Sequence, residues 1–145
     1  PKCSRSYRKR SSAEKSSRAK AWFGRRMSVV RVKLRLSNIY LDNGTVEVDD
    51  AVVDTGSIHT CIPRELAVRL QLKQTGTRAV LTASGPEELE ESGAFVELQG
   101  KSTMTPLLVS DTLSEVIVGV TLLEWLGFLV DPVREEIRET DILFL

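Results

Sequence analysis

The stretch Ala51–Pro63, AVVDTGSIHTCIP, sets an apolar run of Ala51, Val52 and Val53 directly against the carboxylate of Asp54, followed by a hydroxyl, a glycine and a second hydroxyl. A charge beside buried surface must be hydrogen-bonded, paired or held partly protonated, because desolvating it alone costs several kcal/mol or more. Chemistry is one reason for a strand that runs into the core to end on an aspartate.

Upstream of this stretch the period-two signal dominates. Val30, Val32, Leu34 and Leu36 alternate with Arg31, Lys33 and Arg35, the pattern of a strand with one buried face. Asp42, Asn43 and Gly44 tolerate positive φ, and Val46 and Val48 resume the alternation, so Arg31 to Val53 reads as a hairpin whose second strand runs on to Asp54. Downstream, Pro63 can open a short helix with Leu66 and Leu70 on one face. Further strands are expected at Arg78 to Thr82, Ala94 to Leu98, Met104 to Val109 and Val116 to Val118, with closing strands at Phe128 to Val130 and Ile142 to Leu145. Thr121 and Glu124 are spaced as a capping box for a second helix that Gly127 would end. The sum is an all-β chain in the main, with two short helices, no internal repeat and no second domain.

The chain has 145 residues and is 41% hydrophobic, enough for one packed domain of ordinary size. Its net charge of zero hides a partition. Residues 1–26 hold ten Lys and Arg against one acid, a balance of +9, whereas residues 27–145 hold ten bases against nineteen acids, a balance of −9. The basic segment carries only Ala21, Trp22 and Phe23 as an apolar patch and is expected to be disordered. It reads as a nucleic-acid or anionic-membrane arm, a transit peptide, a linker from a longer precursor, or upstream sequence preceding a unit that begins at Met27. Nucleic acid is not an expected partner of the acidic unit, residues 27–145. Cys3 and Cys61 are too few for a disulfide framework, so a reducing, cytoplasmic setting is the default expectation. The apolar run Val116 to Val130 is short for a membrane span and contains Gly119 and Glu124.

Several chemistries compete for the polar residues. His59 is the single histidine, which excludes a multi-histidine metal site within one chain and leaves Ser57 and His59 as the one nucleophile and base pair. No G-x-S-x-G elbow surrounds Ser57, so a structural role is expected there. Nothing in sequence activates Cys61, which reads as a small buried residue. The acidic run Pro86 to Ser92, PEELEES, is expected to be a solvated loop. DTGS also suits a phosphate-binding turn of an actin-like or sugar-kinase ATPase, a fold that needs two large lobes.

A lone D-[ST]-G triplet is weak, but here an apolar strand precedes it, and VIVG, Val116 to Gly119, follows with a helix and FLVDP, Phe128 to Pro132. With TASG at Thr82 to Gly85, these motifs make residues 27–145 resemble the retropepsin-like aspartic proteases, particularly the small single-domain bacterial ones. The resemblance implies a closed, barrel-like half-pepsin domain that dimerises, bringing one Asp54 from each chain together about a twofold axis. It implies an aspartic endopeptidase acting on an extended peptide, with no metal and no cofactor. A catalytically weak dimerisation or peptide-binding module of the same fold is the alternative. Asp54 would supply the catalytic carboxylate, Thr55 would hydrogen-bond across the pair, and Gly56 would let the substrate backbone approach. Ser57, the tip residues Thr82, Ala83, Ser84 and Gly85, and Gly119 would line the substrate site, with the hairpin from Ala79 to Val96 as a flap. Terminal strands, Met27 to Leu36 and Asp141 to Leu145, would hold the dimer, and Val120 stands where many viral relatives have a bracing arginine.

Overall fold

A computed structural model of the chain describes residues 29–140. The basic segment 1–26 and the expected strand Ile142–Leu145 lie outside the described residues. Strand β1 (Val30–Ser37) buries Val30, Val32, Leu34 and Leu36 and turns Lys33 and Arg35 outward, as its alternation requires. It pairs antiparallel with β2 (Thr45–Val53) across a loop that Asn38 organises, its Oδ1 accepting the amides of Tyr40 at 2.7 Å and Leu41 at 3.0 Å.

The pairing of β1 with β2 carries a bulge. Val32 faces Ala51 while Leu34 faces Val48, so Asp49 and Asp50 together stand opposite Lys33. The extra residue reverses the in-and-out order of β2. Val46 and Val48 are buried before it, and Ala51 and Val53 are buried after it. Had the first register continued, residues 50, 52 and 54 would face the core. The bulge instead carries Asp54 to the exposed side. Arg31 sits beside it, donating through Nη1 to the Asp50 carbonyl at 3.2 Å and to the Glu115 carboxylate at 3.4 Å, and Glu115 is itself buried.

Past the candidate site come β3 (Cys61–Pro63) and α1 (Arg64–Arg69), in which Leu66 and Ala67 are buried, as is Leu70 at its C-cap. Pro63 is the N-cap rather than the first helical residue. Strands β4 (Gly76–Thr82), β5 (Gly85–Leu98) and β6 (Lys101–Ser110) follow as a meander. Strand β7 (Ile117–Val118) then lies parallel to β2 and leads into α2 (Val120–Leu126), and β8 (Phe128–Asp131) and β9 (Glu136–Glu139) close the described chain as a hairpin. The main sheet has the order β1-β2-β7-β3-β6-β5-β4, and β1 also pairs with β5 through Leu34–Ser37, so the pairings return to the first strand. The core inside is aliphatic, with Leu34, Leu36, Ile62, Leu66, Val96, Leu98 and Leu123 among its fully buried side chains.

Two expectations need correction. The acidic run Pro86–Ser92 is strand, the first half of β5, and not a solvated loop. Two of its four glutamates are paired: Glu90 takes Arg64 at 2.6 Å and Glu91 takes Arg78 at 2.8 Å. The second correction concerns α2, which begins at Val120, one residue before Thr121, with Gly119 as its N-cap and no side-chain cap. Gly127 ends that helix in the left-handed conformation, at φ +79°, as expected.

Arg64 also binds Asp111 at 2.8 Å, tying α1 to the end of β6. Its hydrogen bond, and then its charge, hold the Asp111 carboxyl below the usual carboxylate range. A depressed folded-state pKa adds stability above the unfolded value, about 3.9, and that stability is lost as pH falls through the folded value. Asp111→Asn is therefore expected to melt lower than the parent at pH 7, with the gap narrowing below about pH 4; a gap that persists at pH 2 would contradict the assignment.

Candidate active site

Parallel pairing fixes the end of β2. The amide of Val52 donates to the Val116 carbonyl at 2.9 Å, and that of Asp54 to the Val118 carbonyl at 3.0 Å. Beyond this point the chain turns tightly. The Asp54 carboxylate accepts the Gly56 amide on Oδ1 at 2.9 Å, and the Asp54 carbonyl accepts the Ser57 amide at 3.0 Å. Asp54, Thr55 and Gly56 are all exposed. A Cβ at Gly56 would stand 3.3 Å from Asp54 Oδ1, so glycine leaves the carboxylate its place.

The rest of the turn folds over β7 and α2. The carbonyl of Ser57 accepts the Val120 amide at 2.8 Å and that of Ile58 accepts the Thr121 amide at 3.4 Å. These carbonyls satisfy the first amides of α2, which is why the helix needs no capping box. Gly119 is buried directly beneath, its amide donating to Thr60 Oγ1 at 3.1 Å. Its contacts are with the underside of the Asp54 loop.

The expected site residues thus fall into two groups. Asp54, Thr55, Gly56 and Ser57 form one turn, closed by the bonds of Gly56 and Ser57 to Asp54, and Gly119 lies beneath it, bonded to Thr60. Thr82 to Gly85 form the tip of the β4–β5 hairpin, where Thr82 Oγ1 donates to the Gly85 carbonyl at 2.9 Å and accepts the Ser84 amide at 3.2 Å. The positive φ of this tight turn, +110°, falls on Gly85, where a side chain would be strained. From Thr82/Gly85 back to Arg78/Leu89 the two strands pair only with each other, and β6 joins β5 at Glu90, so the hairpin projects from the sheet as an arm. No hydrogen bond among the described residues joins the tip to the Asp54 loop.

Ser57 and His59 do not form a nucleophile and base pair. The Ser57 hydroxyl donates to the His59 backbone carbonyl at 2.9 Å and so braces the turn, rather than binding the imidazole or the Asp54 carboxylate. Burial, followed by the negative charge of Asp54, pushes the Cys61 thiol above its usual value, the opposite of an activated thiolate. Cys61→Ser is accordingly expected to keep peptide cleavage within a few-fold of the parent; a hundredfold loss would bring the thiol into the chemistry. Thr60, a buried anchor of Gly119, was not singled out from sequence. Its only sign there is a hydroxyl between His59 and an apolar strand.

A strand-end aspartate on an exposed D-T-G turn, locked to a parallel apolar strand and glycine, in a mostly β chain that also carries a projecting hairpin, defines a retropepsin-like aspartic protease fold. The sequence profile of the aspartyl protease family matches residues 28–122, and the chain belongs to that family. Among solved structures, EIAV protease complexed with the inhibitor HBY-793 matches with a TM-score of 0.55 at 18% identity, over 68% of this chain and 88% of that one. A retropepsin-like aspartic protease from Rickettsia conorii matches at 0.45 and 21% identity, over 72% and 87%. The retroviral protease-like domain of Ddi1 from Leishmania major matches at 0.48 and 16%, over 81% and 95%. No curated protein sequence matches the chain. Among the described residues no helix is long and apolar enough to cross a membrane.

Proposed function

We propose that the chain is an aspartic endopeptidase that works as a homodimer, hydrolysing a peptide bond with a water held between two Asp54 carboxylates. The observation that carries this reading is the exposed Asp54 carboxylate at the head of a turn, with one such turn in the chain. One carboxylate is half of the machinery. Two brought together about a twofold axis cannot both ionise easily and share a proton, one acting as base toward water and the other as acid toward the carbonyl oxygen. Thr55, exposed beside Asp54, would brace the pair across the axis. The projecting arm, with Thr82 to Gly85 at its tip, would close over an extended peptide and exclude water. A shared proton implies an acidic to mildly acidic optimum, and the two apparent pKa values would belong to the pair.

Dilution tests the two-chain site. Cleavage per chain is expected to fall as sedimentation shows dimer giving way to monomer, because the monomer holds one carboxylate. A monomer that cleaves at full rate would remove the shared-site mechanism. A dimer that binds peptides without cleaving them would instead identify a peptide-binding module.

A further inference from the structure

Glu115 is the one acid buried among the described residues, and it lies outside the Asp54 turn. Its side chain is 3% exposed, whereas the acids of the other ion pairs keep 16% or more. A carboxylate taken that far from water needs a cation beside it. Arg31 supplies one, its Nη1 standing 3.4 Å from Glu115 Oε1. The same nitrogen donates to the Asp50 carbonyl at 3.2 Å.

Three strands meet at this contact. Arg31 lies on β1 opposite Val52, and its side chain reaches past β2 to the residue that leads into β7. Asp50 is one of the two bulge residues, and Val116, next after Glu115, accepts the Val52 amide at 2.9 Å. One guanidinium thus ties the bulge to the start of the parallel pairing that ends at Asp54. That pairing is short. Val52 is in register with Ile117 and Val53 with Val118, and β7 has just these two residues. On its other side β7 is held by a single pair, Ile117 with Cys61. Parallel ladders are slightly weaker per residue than antiparallel ones, so a third tie upstream of these pairs matters to their register.

Resting on the peptidase reading above, we infer that Arg31 and Glu115 are positioning residues, strapping the bulge of β2 to the lead of β7 and so fixing where the Asp54 carboxylate stands. Asp50 precedes Asp54 by about 13 Å of strand, at ~3.3 Å per residue, so the guanidinium at Asp50 does not touch the reacting atoms. Its effect is on placement. A catalytic group displaced by about 1 Å loses up to about 10²-fold in rate.

Arg31→Met alone would strand the Glu115 carboxylate and destabilise the whole chain, so the test replaces both, Arg31→Met together with Glu115→Met. An apolar pair of similar volume often leaves stability unchanged or raises it. In the full chain, at a concentration where sedimentation shows dimer, this double variant is expected to melt close to the parent. It should nevertheless lose about tenfold in kcat with KM within about twofold, the mark of a displaced catalytic group. By hydrogen exchange, the amides of Val52 and Asp54 should exchange about tenfold faster than in the parent, while that of Val96, buried in β5, stays unchanged. Arg31→Lys should recover most of the rate, because both bonds leave one nitrogen and an ammonium carries three donors on one atom. Parent-like kcat and exchange in the double variant, or a lysine variant as slow as the double one, would overturn the assignment. Amides that all quicken together would overturn it too, since the pair would then stabilise the whole fold and not this register. If the parent cleaves nothing, the peptidase reading ends, and the exchange of Val52 and Asp54 still decides whether the strap sets the register.

Discussion

Asp54→Asn is expected to lower peptide cleavage by about 10⁴-fold or more, since general acid and general base roles contribute about 10²–10⁴ each and one carboxylate pair carries both. Folding should be unchanged. The side chain keeps its shape, its oxygen can still accept the Gly56 amide, and the residue is exposed in the described chain. The two-chain site adds a sharper expectation. If parent and variant chains mix freely, activity should track the square of the parent fraction, because in the proposed mechanism only dimers with two intact carboxylates work. Equal parts of each should give about a quarter of the rate of undiluted parent at the same total concentration. A linear dependence on the parent fraction would mean that each chain acts alone, and cleavage surviving in the purified variant would end the aspartic mechanism altogether.

Why Asp54 is available for such chemistry is a matter of register, and that part was not legible in the sequence. The alternation of β1 and of Val46 and Val48 reads directly as a half-buried hairpin, and the structure keeps it. Continued without interruption, the same alternation would bury Asp54. The bulge at Asp49–Asp50 resolves the conflict, and its only trace in sequence is a pair of consecutive acids where one outward residue was due. The amphipathic faces of α1 and the Gly127 stop were also legible, because each depends on residues within a few positions. The start of α2 was not, since its first amides are satisfied by carbonyls of Ser57 and Ile58 more than fifty residues earlier. Charge hid the first half of β5 in a similar way. Glu90 and Glu91 look solvated until Arg64 and Arg78 are placed beside them. Strand β9 has one buried residue, Ile137, and gives no pattern to read.

The D-T-G turn and the later glycine were visible as separate motifs, yet what joins them is the close approach of backbone to backbone, and this yields the second large expectation. A Cβ at Gly119 would stand 2.5 Å from both the carbonyl carbon and oxygen of His59 and 2.7 Å from the oxygen of Ile58. Carbon atoms in contact normally sit about 3.5–4.0 Å apart, so the loop would have to lift by roughly an ångström. Lifting it strains the bonds from Ser57 and Ile58 to the first amides of α2 and the bond from Gly119 to Thr60. Overpacking in a rigid interior costs about 1–3 kcal/mol and more when the obstacle is backbone, and buried amides left without partners cost about 1–3 kcal/mol each. Gly119→Ala is therefore expected to destabilise the fold by about 3 kcal/mol or more, lowering the melting temperature by roughly 10 °C. Cleavage should fall even well below the melt, because the same loop carries Asp54. Gly93→Ala is the control, as its Cβ would meet nothing nearer than the Thr105 carbonyl oxygen at 3.5 Å, and it should melt close to the parent. If Gly119→Ala melts with the control and cleaves at the parent rate, the loop does not depend on that contact, and the account of how Asp54 is held must be abandoned.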